Sequence, residues 1–254
     1  MIGGKRVVAL VPARGGSKGI PGKNLYRIGE KSLVERAVDL ARASGFVDQV
    51  YVSSDDAAVH ALAQKLDAAP PEPRPAHLAS DGARTIELVH YMVETGQLDR
   101  DNLLLLLQPT TPLRNVQHAK ELAERFAEAG EAPDGIISVV TAGGNHPLKA
   151  QIINNGYLAP LNAQDSSVPR QSLRPAFFPN GAFYLARVDV LLDQDTFVPR
   201  RTLAYEMDEL SSVNLDGKLD LLLLETILSK GLVQMEDGSN DLRPPAVTGK
   251  GETA

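Results

Sequence analysis

The sequence predicts an α/β fold built on an open, mostly parallel, doubly wound sheet. Three observations carry this. Strand-like runs alternate with helically periodic segments over the first 140 residues, the pattern of strand–helix–strand units. Five consecutive leucines at 103–107 leave no polar face, as a central strand covered by helices on both sides requires. A glycine-rich basic segment follows the first run directly, at the carboxyl end of a strand, where such sheets bind ligands.

In chain order, residues 5–11 (KRVVALV) form the first strand, apolar and β-branched. Ser32 with Glu35 three residues on is a capping box. It opens a helix whose apolar face is Leu33, Val34, Ala37, Val38 and Ala41, closed by Gly45. Residues 47–53 are the second strand, and Val59, Leu62, Ala63 and Leu66 give the second helix. Four prolines make 67–75 an extended loop. Ile86, Val89, His90 and Val93 mark a third helix, ended by Gly96. After the leucine strand, Asn115 caps a fourth helix with Ala119, Leu122, Ala123 and Phe126 inside, and 136–140 is the next strand.

From about 142 to 178 the pattern loosens into glycines, prolines and an Asn154-Asn155-Gly156 turn signal, which predicts an inserted β-rich, hairpin-like arm. Residues 181–186 return to strand character, and 219–228 (LDLLLLETIL) predict a last, mostly buried helix. One domain is expected over 1–231; the polar 232–254, with glycine, proline and serine, read as a disordered tail.

The chain has 254 residues, 43% apolar and 23% charged, which suits one domain with a small appendage. With 32 acidic and 26 basic residues the net charge is −6, which argues against a nucleic-acid partner. It leaves room for an anionic small molecule, because a site's charge is local. The absence of cysteine excludes disulfides, thiolate catalysis and cysteine-ligated metals, and fits a reducing cytoplasm, the expected location. Met1 to Lys5 runs into a strand rather than a signal peptide, and no apolar run is long enough to span a membrane.

The most informative stretch is 12–25, PARGGSKGIPGKNL, with four glycines, two lysines and one arginine. Successive backbone N–H groups in such a loop form an anion-binding concavity, and glycine lets the backbone come close to a phosphate. Arg14, Lys18 and Lys23 add positive charge. A P-loop would need glycine where Ser17 stands and serine or threonine where Asn24 stands, and G-x-G-x-x-G has no match.

The segment 14–25 resembles the signature loop of the CMP-N-acylneuraminate synthetases, the acylneuraminate cytidylyltransferases. The resemblance continues in order through VSSD at 52–55, RPAHLASD at 74–81, LLQPTTPLR at 106–114, HPLK at 146–149, PRQ at 169–171 and PNGAFY at 179–184. Seven blocks in order, reaching to about Gly231, make it specific where one loop would not be.

The resemblance implies a Rossmann-like nucleotidyltransferase with a small β-rich dimerisation arm. It implies an enzyme that transfers CMP from CTP to the anomeric hydroxyl of a nine-carbon 2-keto sugar acid. By the same carry-over, Arg14, Gly16, Ser17 and Lys23 hold the triphosphate and Asn24 contacts the nucleotide. Arg74, Ala83 and Thr85 line the cytosine and ribose pocket. Gln108, Lys149, Arg170, Gln171 and, as a weaker candidate, Tyr184 face the sugar acid. A fixed cation at Lys23 would meet the charge that grows on the leaving pyrophosphate, so Lys23, Arg14 and Asp216 are the expected catalytic set. Core packing is the competing reading for Tyr184, a solvated arm position for Arg170, and backbone bonding at the strand end for Gln108.

Nucleotidyl transfer usually needs Mg²⁺, and the family supplies a D-x-D pair. Here the block reads SSVNLDG at 211–217, so the metal candidates are Asp216 and Asn214, with an amide in place of the first carboxylate. Asp216 could instead cap the following helix. A homodimer formed through the arm, which carries Phe177-Phe178, is also implied. The rival readings are a cytidylyltransferase for legionaminic, pseudaminic or Kdo-type acids, and a nucleotide-binding homologue weakened in catalysis by Asn214.

Overall fold

A computed structural model describes residues 1–161 and 168–245. The chain runs through β1 (Val7–Pro12), the short pair β2 (Arg27–Ile28) and β3 (Lys31–Ser32), α1 (Leu33–Ala43), β4 (Gln49–Ser53), α2 (Ala57–Lys65), α3 (Thr85–Glu94) and β5 (Leu103–Leu106). It continues with α4 (Val116–Glu128), β6 (Gly135–Thr141), β7 (Gln151–Asn154), β8 (Tyr157–Pro160), β9 (Phe177–Arg187), α5 (Val188–Gln194), β10 (Thr202–Glu206), α6 (Lys218–Ser229) and β11 (Leu242–Arg243).

The main sheet has six strands in the order β10-β6-β9-β5-β1-β4. β1 lies parallel to β4 and β5, and β10 parallel to β6. β9 is antiparallel to both of its neighbours, β5 and β6. Alternate side chains of a strand face opposite sides. Accordingly Val7, Ala9, Leu103 and Leu105 pack into one core with α1 and α4, while Val8, Leu10, Leu104 and Leu106 pack into another with α3 and α5. The leucine run is buried on both faces for this reason.

Local chemistry places the helices as the sequence predicts. Ser32 Oγ accepts from Glu35 N–H and the Glu35 carboxylate accepts from Ser32 N–H, a reciprocal cap that stabilises α1 by about 1 kcal/mol. Asn115 caps α4 by accepting from His118 N–H at 2.9 Å. The Asn154-Asn155-Gly156 signal becomes the β7–β8 turn, with positive φ at both Asn155 (50°) and Gly156 (85°), the geometry of a type I′ hairpin. The hairpin carries exposed Ile153, Tyr157 and Leu158, and Phe177 and Phe178 are exposed close to it in the chain.

Two expectations are corrected. The last helix is not mostly buried: Leu224, Ile227 and Leu228 face the core, but Leu219 is 77% exposed and Leu222 60%. Leucines at 221–224 surround the helix axis, so only those in register with the third cluster, formed with Ile20, Ile28, Leu33, Leu113, Val213 and Leu215, can be covered. Nor do residues 232–245 form a loose tail. Val233, Met235 and Leu242 pack on that third cluster, and β11 pairs with β2. Arg36 donates to Asp237 and Ser239, each at 3.0 Å, and to the Ile28 carbonyl. The few apolar residues in this polar segment dock it as a strap. The final stretch 246–254 lies outside the described residues.

Candidate active site

A cavity of about 460 Å³ opens beyond the carboxyl ends of β1 and β5. From β1 the chain goes to β4 on one side and later to β5 on the other, so the cavity sits at the topological switch point of the sheet. Of the residues singled out from the sequence, Arg14, Ser17, Lys23, Asn24, Arg74, Ala83, Thr85, Gln108, Asn214 and Asp216 line it. Lys18, Asp81, Pro109 and Thr110 line it as well.

The glycine-rich loop is held in shape by its own polar groups. Asn24 is buried and donates through Nδ2 to the Arg14 carbonyl at 2.9 Å, which closes the loop on itself. Gly15 N–H donates to Asp55 Oδ1 at 2.9 Å. Gly19 passes so close to the Asp216 carbonyl that a Cβ there would collide with it. Gly16 does not border the cavity itself, and a Cβ at that position would meet open space.

Four cations and two carboxylates line the cavity, opposite in sign to the chain's overall charge. Asp81 bridges two of the cations, 3.3 Å from Arg14 Nη1 and 2.5 Å from Lys18 Nζ. The hydrogen bond from Lys18 holds its carboxyl below the usual carboxylate range. Arg14 Nη1 also donates to the Ser80 carbonyl at 2.9 Å. Arg74 is 7% exposed, and its Nε finds no acceptor among the described residues. Burial pushes its pKa down, opposed by Asp55 and reinforced by Arg14. Two neighbouring guanidiniums, one of them buried with an unsatisfied donor, form a site prepared for an anion.

Across the cavity, Lys23 Nζ donates to the Leu215 carbonyl at 2.6 Å and lies 3.3 Å from Asp216 Oδ1. Asn214 Nδ2 donates to the other carboxylate oxygen of Asp216 at 2.9 Å. Asp216 therefore does not cap α6; the Asp220 carboxylate takes the N–H groups of Asp216 and Gly217 instead.

The donor set can be tested against a divalent cation. Among the described residues no group of three or more His, Cys, Asp or Glu is placed to hold a metal. Asp216 presents an exposed carboxylate, and Asn214 Oδ1 is buried with no partner among the described residues. With the Asn214 amide turned over, so that its oxygen rather than its Nδ2 faces Asp216, one carboxylate and one amide oxygen two residues apart fit a hard cation that draws its remaining ligands from phosphate and water, as Mg²⁺ does.

Gln108 stands at the end of the leucine strand. Its carbonyl accepts from the buried Arg114 Nη1 at 2.6 Å. Its side chain lies over Gly181 (φ 80°), where an added Cβ would come within 2.5 Å of Gln108 Oε1. Arg114 also donates to the Ala182 carbonyl at 2.9 Å and packs over the Phe183 ring, and desolvation lowers its pKa to about 9.

Of the remaining sugar-side candidates, Tyr184, Lys149 and Gln171 are not among the described residues that line this cavity. Tyr184 points into the core beside Phe197, ring centroids 6.2 Å apart, and burial raises its pKa. Its position pairs with Leu106, and the side chain packs on the second cluster, with Leu104 and Leu106, rather than lining the cavity. Lys149 donates to the Val168 carbonyl within the arm. Gln171 belongs to the 3₁₀ turn Arg170–Ser172 of the same arm, and the Arg170 side chain lies outside what the structure describes. His146 caps the turn before Lys149 by accepting from Leu148 N–H at 3.2 Å. Two features escaped sequence reasoning. Thr110 was signalled only by following Gln108 at a strand end, and the pairing of Asp81 with Lys18 needed the tertiary fold.

Comparison with known proteins identifies the family. Among curated proteins, the chain is similar to an N-acylneuraminate cytidylyltransferase of Streptococcus agalactiae serotype V, 27% identical over 217 residues, covering 85% of this chain and 51% of that protein. It is 26% identical over 230 residues to a CMP-N,N'-diacetyllegionaminic acid synthase of Legionella pneumophila, covering 88% of this chain and 96% of that protein. The chain spans about half the length of the N-acylneuraminate cytidylyltransferases it matches. Among solved structures, a CMP:2-keto-3-deoxy-manno-octonic acid synthetase complexed with CTP shares the fold, with a TM-score of 0.64 at 16% identity over 89% of this chain and 99% of that one. The cytidylyltransferase family model matches residues 8–202, and the chain belongs to the cytidylyltransferase family.

Proposed function

We propose that the cavity binds CTP with its triphosphate on the glycine-rich loop and transfers CMP to the anomeric hydroxyl of a sialic-acid-type, nine-carbon 2-keto sugar acid. The carrying observation is Arg74, a buried guanidinium with an unsatisfied donor beside Arg14, in a cavity whose cations outnumber its carboxylates. The sugar class is supported by the seven blocks of resemblance and by relatives whose names specify N-acylneuraminate and diacetyllegionaminate.

In this reading the sugar hydroxyl oxygen attacks the α-phosphorus in line. The bond from the α-phosphorus to the bridging oxygen breaks, its electron pair leaves with pyrophosphate, and the hydroxyl proton passes to water. Arg14, Ser17 and Lys18 bind the phosphates, with Asn24 keeping the loop closed. Lys23 meets the charge growing on the leaving group, a contact worth most where water is excluded. Arg74, Ala83 and Thr85 border the nucleoside, and Gln108 orients the sugar acid. Asp216, with Asn214 beside it, would hold Mg²⁺, which when bound neutralises phosphate charge and makes the α-phosphorus more electrophilic.

Lys149, Arg170 and Gln171 sit on an arm of which no described residue lines its own chain's cavity. We assign them to the cavity of a second copy, in a homodimer built through the arm. An isolated two-stranded hairpin is marginal in water, and this one exposes Ile153, Tyr157 and Leu158.

The test is pyrophosphate release from CTP and Mg²⁺ with N-acetylneuraminic, legionaminic, pseudaminic and Kdo-type acids. The expected result is the highest kcat/KM with nine-carbon acids of the sialic type. Turnover confined to a Kdo-type acid, or CTP binding with no turnover on any acid, overturns the reading. Mixing Lys23→Ala with Arg170→Ala copies should restore activity that neither shows alone; a fully active monomer would remove the arm's role.

A further inference from the structure

We infer that Asn180 is a positioning residue that locks the Gln108 side of the cavity to the Asn214–Asp216 side. It does not line the cavity. It is 4% exposed and stands in β9 where the pairing with β6 slips register, between Ile137 and Val139.

Every polar atom of its side chain is engaged. Oδ1 accepts from Ser138 Oγ at 2.6 Å and from Ala182 N–H at 3.1 Å. Nδ2 donates to Ser212 Oγ at 2.8 Å and to Met207 Sδ at 3.4 Å. Its carbonyl accepts from Thr111 Oγ1 at 3.1 Å. Ser138 and Thr111 are fully buried and Ser212 nearly so. A satisfied buried network of this kind specifies one geometry, and losing its centre leaves several groups unpaired at once.

What the network joins gives it meaning. Thr111 lies three residues after Gln108, and Ser212 two residues before Asn214. Leu215 N–H donates to the Thr110 carbonyl at 2.8 Å, which closes the two loops into one ring. The next residue, Gly181, lies directly beneath the Gln108 side chain. A shift at Asn180 therefore moves the sugar-orienting amide and the carboxylate that faces Lys23 together. The CTP-facing cations Arg14, Lys18 and Arg74 lie on other segments, and no hydrogen bond recorded for Asn180 reaches them.

The kinetic side of this inference rests on the proposed reaction, so the experiment has a second readout that does not. Asn180→Ala is compared with two single-link variants, Ser212→Ala and Thr111→Val, which keep Asn180 and protect against a simple failure to fold. For Asn180→Ala we expect kcat to fall about tenfold or more and the sugar-acid KM to rise several-fold, with the CTP KM within about twofold, as misplacement of reacting groups predicts. Hydrogen exchange should accelerate at 108–111 and 212–216 together, and each single-link variant should show the same pattern in weaker form.

A kcat loss equal to the lost folded fraction, with both KM values and exchange in folded molecules unchanged, would make Asn180 merely structural and overturn the inference. So would loosening of only one loop. If the wild-type protein turns over no sugar acid yet the exchange of the two loops is coupled, the reaction fails while the positioning role stands.

Discussion

Lys23 reaches from the glycine-rich loop to Asp216, its Nζ 3.3 Å from Oδ1, and holds the Leu215 carbonyl at 2.6 Å. The ammonium thus serves as the counter-ion of the carboxylate proposed to hold the metal. Lys23→Ala should lower kcat for pyrophosphate release by about 10²–10³, the range for losing one fixed group that stabilises developing negative charge. A change below threefold would remove Lys23 from the chemistry.

Asp81 pairs with both Arg14 and Lys18, the cations proposed to bind phosphate. Asp81→Asn releases both cations, so the CTP KM should fall about two- to fivefold, and binding should weaken more steeply with added salt. Titration of CTP at two ionic strengths decides it; weaker binding in the variant would mean that Asp81 contacts the nucleotide.

Arg74 predicts opposite signs for stability and binding. A buried cation with an unsatisfied donor burdens the empty protein, so Arg74→Met should keep or raise the melting temperature. The same change should weaken CTP binding by more than tenfold, consistent with about 2–5 kcal/mol for truncating a buried charged partner. Calorimetry and thermal melts on one sample check both.

Asn214 offers a neutral oxygen where a second carboxylate would add charge. Asn214→Asp should tighten Mn²⁺ binding in the presence of CTP about three- to tenfold, read directly by electron paramagnetic resonance, because affinity in such sites follows ligand charge. Asp216→Asn should abolish it. Unchanged affinity in both variants would place the cation elsewhere.

Far from the cavity, Arg201 grips the buried Asp134 with bonds of 2.6 and 3.2 Å and holds its carboxyl below the ordinary 3.8. A carboxyl with a depressed folded pKa stabilises the fold above its unfolded value and loses that stabilisation as pH falls through the folded one. Asp134→Asn should therefore be less stable than the parent at pH 7. The gap should close below about pH 4, traced by urea unfolding across the acid range. A constant gap would show that the pair contributes through packing instead.

Local signals were legible in the sequence, and tertiary ones were not. Ser32 and Glu35 announced α1, and Asn155-Gly156 announced the hairpin, because each motif satisfies neighbouring backbone groups. The loop and ten lining residues were found because position after a strand and charge both lie along the chain. The burial of Arg74 and the network around Asn180 depend on residues far apart in sequence. The strap at 233–243 looked disordered because its composition is polar, although three apolar side chains suffice to anchor it on the third cluster. The leucines of α6 looked buried because an unbroken apolar run carries no periodicity to show which face is covered.

β9 has one more consequence, for the order in which the chain can acquire its structure. β5 and β6 do not pair with each other; β9 alone splices the β4-β1-β5 half of the sheet to the β6-β10 half. A polypeptide emerging from its N-terminus therefore cannot join the two halves until residue 187 has been made. Such long-range, late-closing pairings slow folding and leave strand edges open to wrong partners in the interval. Fragments ending before β9 should behave as sticky intermediates.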